Sequence, residues 1–333
     1  MPLEPLPGFV SLETHHCVTG SMRHVYIYNG HDVSEEMLLG VGGGVGFIYW
    51  HTKGADPFIG GRAKGRPHTG FETAAGRRTG VAIAEHVTTS ARKARRTLLE
   101  LLDAEQPVML QVDMGFLPYF DFGGQEYHFG AHAVVACGYD PATARVLIAD
   151  RDAELHPLSM DELERARGSE HRPYPPKHRW TTFDFSQKRQ PTPEEIRAAI
   201  AEQVEGMLDP PISNLGVKGI RKATRRILEW PNEMDEQALR RTMFNTYIFI
   251  DAEGGTGGGI FRLMFSRFLR ESAAVTGDER LIEIAHAFQA IGRRWQEVAE
   301  IFRQGWATED PAALLPETTT PVRAIADLEE EAW

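Results

Sequence analysis

Apolar and polar positions change period along this chain, and the change predicts two kinds of structure. In the first half, apolar runs of strand length alternate with turn residues. PVMLQVDM (107–114), HAVVACGY (132–139) and RVLIAD (145–150) read as three strands, with DPATA (140–144) as the hairpin turn between the last two. A helical period interrupts them at SARKARRTLLELLDAE (90–105), where Ala94, Leu98, Leu101 and Leu102 share one face. After SMDELERAR (159–167) the text turns proline-rich and irregular, which predicts an inter-domain connection over 171–191. Helical text resumes at TPEEI, with Thr192 as N-cap, Pro193 at the first helical position and Glu195 closing a capping box. In residues 278–304, Leu281, Ile284, Phe288, Ile291, Trp295, Val298 and Phe302 keep a three-to-four spacing, and the acidic DLEEEAW at the end is expected to fray. The expected fold class is α+β: a domain with an antiparallel sheet over 1–170, the connection, and a mostly helical domain over 192–333.

Composition narrows the function. With 333 residues, 42% of them apolar, the chain can bury a large core in two domains. A net charge of −11 argues against broad nucleic-acid affinity, since phosphate binding needs a clustered positive field. Two basic runs, ARKARR (91–96) and KGIRKATRR (218–226), read as solvated helix faces or as docking patches for an acidic partner. No signal-peptide pattern stands in the first residues and no stretch approaches 18 apolar positions, so the expectation is a cytoplasmic protein with no membrane contact. The apolar helical domain is compatible with a homodimer.

The candidate chemistry starts from the two cysteines. Cys137 lies inside an apolar strand and reads as a core residue, whereas Cys17 follows His15 and His16 and stands directly before a predicted helix. A thiol at a helix N-terminus has its thiolate favoured by the helix dipole and by a neighbouring imidazolium. A nucleophile also needs a base, and the base needs a group to orient it. With the turn at 140–144, Asp150 stands opposite Val134, so His132 and Asp150 share a face as diagonal neighbours. A one-residue slip would break this, and Asp152 is then the fallback. His128 precedes the strand and reads as a loop or substrate-shaping residue. Asp113, at the end of the QVDM strand, is read either as a residue that holds the site together or as one that binds an amine. His15 and His16 stay open between contact with substrate or an oxyanion and an exposed pair before a helix. The glycine clusters GVGGGVG (40–46) and EGGTGGG (253–259) lack the dinucleotide and phosphate-loop spacings and read as close backbone packing. The 13 histidines show neither HExxH nor paired-cysteine spacing, so no metal and no cofactor are expected.

Five ordered motifs carry a resemblance. HHC (15–17), SEEMLLGVGGGVGFIYW (34–50), QVDMGFLPY (111–119), YHFGAHAVVACGYD (127–140) and LIADRD (147–152) together resemble the family of butirosin biosynthesis protein H. The helical remainder, including GGGIFRLMFSRFL (257–269), is similar to the uncharacterised helical domain that often follows. The resemblance implies a papain-like cysteine-peptidase-type domain, with Cys17 as nucleophile, His132 as general base and Asp150 as the orienting residue. It departs from papain-like proteases in lacking a glutamine shortly before Cys17, which leaves the Cys17 N–H as the one nameable oxyanion donor.

The activity so implied is transfer of an acyl group from a thioester, on an acyl carrier protein or another donor, to a small-molecule amine through an acyl-Cys17 intermediate. His16, Tyr119, His128 and Asp113 are the candidate substrate-binding residues. The GVGGGVGFIYW segment and the aromatic LPYFDF stretch (117–122) are candidates for lining a water-excluding cleft. Two competing expectations stand beside this one: a cysteine peptidase or amidohydrolase with water as acceptor, and a non-catalytic binding module.

Overall fold

The computed structural model describes residues 3–52, 55–61, 70–122, 124, 126–251 and 256–333. Among these, the strands are β1 (Ile48–Trp50), β2 (Phe58–Gly60), β3 (Ala82–His86), β4 (Val108–Val112), β5 (His132–Asp140), β6 (Arg145–Ala149), β7 (Leu155–Ser159) and β8 (Trp180–Asp184). The helices are α1 (Cys17–Tyr28), α2 (Glu35–Val41), α3 (Phe71–Thr79), α4 (Ala91–Asp103), α5 (Met160–Gly168), α6 (Pro193–Leu208), α7 (Gly216–Arg226), α8 (Trp230–Glu233), α9 (Glu236–Ile250), α10 (Gly259–Thr276), α11 (Arg280–Ala307) and α12 (Leu315–Ala332). The class is α+β, as expected.

The chain forms two compact units, and each is discontinuous: residues 1–38 with 79–190, and residues 39–78 with 191–333. This differs from the boundaries expected at 170 and 192. Residues 39–78 belong to the second unit, and the 171–191 stretch is no linker, because β8 lies within it and pairs with both β3 and β4. Proline-rich flanks hid a strand whose Trp180 and Thr181 are buried.

The first unit is built on an antiparallel six-stranded sheet of order β3-β8-β4-β5-β6-β7. Apolar side chains of the central strands, such as Leu110, Val112, Val134, Val146 and Ile148, join Leu98 and Leu102 of α4, Leu163 and Ala166 of α5 and Val25 of α1 in one core. The β5–β6 hairpin closes through Asp140, which accepts from the Ala142 N–H and the Thr143 hydroxyl and pairs across the ladder with Arg145. A β-bulge then shifts the register: Gly138 pairs with Leu147, but Ala136 pairs with Ile148 and Val135 with Ala149. Cys137 is the extra residue, buried in the core as its sequence context predicts. Gly138 is required there, because a Cβ would lie 2.4 Å from the Glu4 carbonyl of the N-terminal segment.

In the second unit, α9, α10, α11 and α12 pack around Phe261, Phe265, Phe288, Trp295 and Phe302. The residues of α6 predicted to cap it do so: Thr192 accepts from the Glu195 N–H, and Glu195 accepts from the Thr192 N–H. Arg262 and Glu329 form a wholly buried ion pair; Trp295 also donates to Glu329, and Arg262 donates to the carbonyls of Gly46 and Gly257. The acidic tail therefore does not fray. Glu329 anchors it inside the bundle.

Both readings of the glycine clusters as packing residues can be followed here in part. A Cβ on Gly40 would sit 2.2 Å from the Phe268 ring, so the GVGGGVG segment allows α2 to approach α10 closely. Residues 253–255 of EGGTGGG lie outside the described residues; its Gly258 packs against Ile250, where a Cβ would meet the carbonyl at 2.2 Å.

Candidate active site

The site is assembled from the start of α1, the start of β5 and the end of β6. Residues 11–16 are held as an extended lead into the helix. Ser11 donates to the Asp152 carbonyl, the Leu12 N–H donates to His24 Nε2, and the Thr14 N–H donates to the Arg151 carbonyl. Burial keeps His24 below its ordinary pKa, so its neutral ring accepts at Nε2 while Nδ1 donates to the Gly20 carbonyl. The carboxylate of Glu35, 3% exposed, accepts from the N–H groups of His15 and His16 at 2.8 Å each and from the Thr19 hydroxyl at 2.6 Å. An acidic group in this position also suits the positive end of α1.

His16 is the N-cap of α1 and Cys17 its first helical residue. The two histidines separate here. His15 is exposed and lies 3.7 Å from Glu36, whereas His16 is buried, with Nδ1 accepting from the Thr19 N–H and Nε2 standing 4.0 Å from Cys17 Sγ. The exposed-pair reading is thus wrong for His16.

On the sheet, His132 Nε2 donates to Asp150 Oδ2 at 2.7 Å, with both side chains buried. That bond leaves Nδ1 as the second ring nitrogen, and His132 stands near enough to Cys17 for each to shift the other's ionisation. Tyr119 donates to the same Asp150 oxygen at 2.9 Å, and Phe120 meets the His132 ring edge-on at 5.6 Å. Tyr119 and Phe120 of the aromatic stretch 117–122 therefore pack against the His–Asp pair. Asp152, the fallback, instead accepts from His156 at 3.0 Å.

The electrostatics follow from this packing. Burial opposes ionisation of Cys17, but the neighbouring imidazoles of His16 and His132 outweigh it and hold the thiol well below its ordinary value. Burial also opposes charge on His132, yet Asp150 and the Cys17 thiolate push it up to about 9. Asp150 would be raised by burial, and His132 with Arg151 and Tyr119 brings it below the usual carboxylate range. Burial and the Asp150 charge drive the Tyr119 phenol far up, so it remains a protonated donor. Both directions favour a thiolate facing an imidazolium over the neutral pair. Cys137, by contrast, is pushed up to about 12 by burial and stays a neutral thiol.

Asp113 and His128 fall in a different cluster. Asp113 follows Val112, which pairs with His132, so it points to the other side of the sheet. Wholly buried, it accepts from the N–H groups of Gly115 and Phe129, the Ser169 hydroxyl and His128 Nδ1. Of the two readings of Asp113, this geometry favours the holding role. Glu126, His128 and His171 bring potential metal-ligand atoms within 4.8 Å of one another. However, the two imidazoles stack 3.4 Å apart with planes 6° from parallel, so their in-plane lone pairs do not converge.

The basic runs are partly spent within their own units. In α7, Arg221 pairs with Asp327 and Glu330, and Arg226 with Glu229 and Glu233. In α4, Arg95 pairs with Glu164 and Arg96 with Glu100.

Comparison with known families agrees with the motifs. Residues 161–333, more than half of the chain, match the family model described as a domain of unknown function (DUF4872), and residues 16–151 match the model described as butirosin biosynthesis protein H, N-terminal. The chain belongs to this two-part family. The butirosin H-type region begins at the His16 cap and ends just past Asp150, so it spans the whole thiol–imidazole–carboxylate cluster. No curated protein matches the chain. No helix among the described residues is long and apolar enough to cross a membrane.

Glu35 is the site residue that sequence reasoning missed. Its signal was present, an acidic residue opening a helix-like EEMLL segment, but nothing in the linear text says that its carboxylate caps a different helix.

Proposed function

We propose that this protein is a biosynthetic, cysteine-dependent acyltransferase that moves an acyl group from a thioester to an amine. The observation that carries the reading is the Asp150–His132 bond at 2.7 Å beside a thiol held well below its ordinary pKa. A papain-like division of labour follows from that arrangement. Cys17 thiolate adds to the thioester carbonyl, forming a C–S bond and an oxyanion. Collapse breaks the donor's C–S bond, and the departing thiolate takes the proton from His132. Neutral His132 then removes a proton from the amine as it attacks the acyl-Cys17 carbonyl, and Cys17 leaves as thiolate to restore the starting pair. Thiol-for-thiol exchange is nearly balanced in energy, which suits a cysteine to a thioester donor. The donor is an acyl carrier protein or another acyl thioester, the acceptor is a small-molecule amine, and the chain needs no cofactor of its own for these steps.

The test is intact-protein mass spectrometry of wild type and Cys17→Ser mixed with acyl-N-acetylcysteamines. An acyl adduct on wild type alone, discharged by added amine, supports the transferase. Discharge by water at the same rate without amine assigns a hydrolase instead. An unreactive thiol with no adduct removes the enzymatic reading.

A further inference from the structure

The proposed chemistry needs donors for the oxyanion, and the segment before Cys17 has no glutamine or asparagine. Ser11 is committed to the carbonyls of Asp152 and Glu154, and Glu13 is exposed. What stands beside the sulfur is the His16 ring, 4% exposed, with Nε2 at 4.0 Å from Sγ. Its other nitrogen is occupied: Nδ1 accepts from the Thr19 N–H, and it faces the Thr19 hydroxyl at 3.3 Å, whose own proton goes to Glu35. A neutral ring with Nδ1 accepting carries its proton on Nε2. With Nδ1 as the acceptor of the cap, the nitrogen nearest Cys17 is an N–H donor, and the capping bond fixes the direction in which it points.

We propose that His16 supplies the missing oxyanion contact, donating Nε2–H to the oxygen that becomes negative when Cys17 Sγ attacks the acyl carbonyl, together with the Cys17 N–H at the open end of α1. This rests on the acyl-transfer reading above. It gives the two imidazoles of the site different tasks: His132 exchanges protons with the incoming and leaving groups, and His16 donates a hydrogen bond and stabilises charge. A first-turn N–H has no partner within its own helix, so the Cys17 amide is available for the same oxygen.

The test compares wild type, His16→Ala and His16→Gln in two reactions of Cys17. Acylation by acyl-N-acetylcysteamine passes through an oxyanion; alkylation by iodoacetamide, a displacement at carbon, does not. His16→Ala is expected to slow acylation by about 10²- to 10³-fold. Its alkylation rate, read above the thiol's pKa so that the influence of His16 on that pKa no longer matters, should stay within a few-fold of wild type. His16→Gln, which keeps an N–H donor but cannot ionise, should recover most of the acylation rate. Acylation of His16→Ala at the wild-type rate overturns the assignment. So does a parallel fall in acylation and high-pH alkylation in both variants, which would make His16 a packing residue. A wild type that takes up no acyl group at all, while still alkylating, instead removes the acyl-transfer reading on which the inference stands.

Discussion

Replacing Asp150 by Asn tests the charge arrangement at its base. The change keeps the side chain's shape and a hydrogen-bonding oxygen for His132, while removing the negative charge from a contact of 2.7 Å. A hydrogen bond to a charged partner is worth about 1.5–3 kcal/mol and a neutral one about 1, so the thiolate–imidazolium state loses on the order of 1–2 kcal/mol relative to the neutral pair. At about 1.4 kcal/mol per unit, the Cys17 titration should move up by roughly one pH unit. His132 should move down from about 9, since burial alone pushes it below its ordinary value. The assay is the rate of iodoacetamide alkylation against pH, followed by mass so that Cys17 and Cys137 are counted separately. In wild type the rate should reach its plateau at a lower pH than an ordinary thiol does, and acylation by a thioester should decline as pH rises through about 9, where His132 loses its proton. In the variant the alkylation limb should climb at a higher pH than in wild type. An unmoved limb would refute the reasoning, because it would mean that Asp150 does not hold the charge on His132.

Three further outcomes follow from the structure. Alkylation of the native protein at pH 7 should add one group, on Cys17, with Cys137 modified only after unfolding; peptide mapping reads this directly. Asp113→Ala should strip four buried or half-buried donors of their acceptor and cost on the order of 3 kcal/mol or more in urea unfolding, while the Cys17 alkylation profile of the folded fraction stays in place. Glu329→Gln leaves the Arg262 charge buried without its counter-ion and should destabilise the second unit by about 3–5 kcal/mol, lowering the thermal midpoint without changing thiol reactivity.

The triad candidates were legible because each rests on local pattern. Cys17 precedes a helix, and His132 and Asp150 bracket a hairpin whose turn residues are plain. Their shared face, though, depends on something the pattern hides. In the register set at the turn, where Asp140 pairs with Arg145 and Gly138 with Leu147, Asp150 would stand opposite Val135 and point away from His132. The bulge at Cys137 removes that one-residue offset, so the expected pairing of Asp150 with Val134 is correct although the hairpin is not uniform. A cysteine and a glycine within an apolar run gave no linear sign of this beyond the glycine itself. The errors have a common cause as well. β8, the partition of residues 39–78 and the ordered tail all depend on partners distant in sequence, and local propensity carries no information about them.

The discontinuity of the units has a consequence during synthesis. Residues 40–47 leave the ribosome early, yet the partners of Gly40 and Gly46 are Phe268 and Arg262, translated roughly 10–45 s later at about 5–20 residues per second. Over that interval an apolar, glycine-rich stretch has emerged without the helices that bury it. The first unit waits too, since β8 joins the sheet only after β3 through β7 have emerged. A nascent chain stopped between residues 151 and 161, at the seam between the two matched family regions, would therefore complete neither unit. A gene that kept only the part bearing Cys17, His132 and Asp150 would encode a sheet lacking two of its six strands.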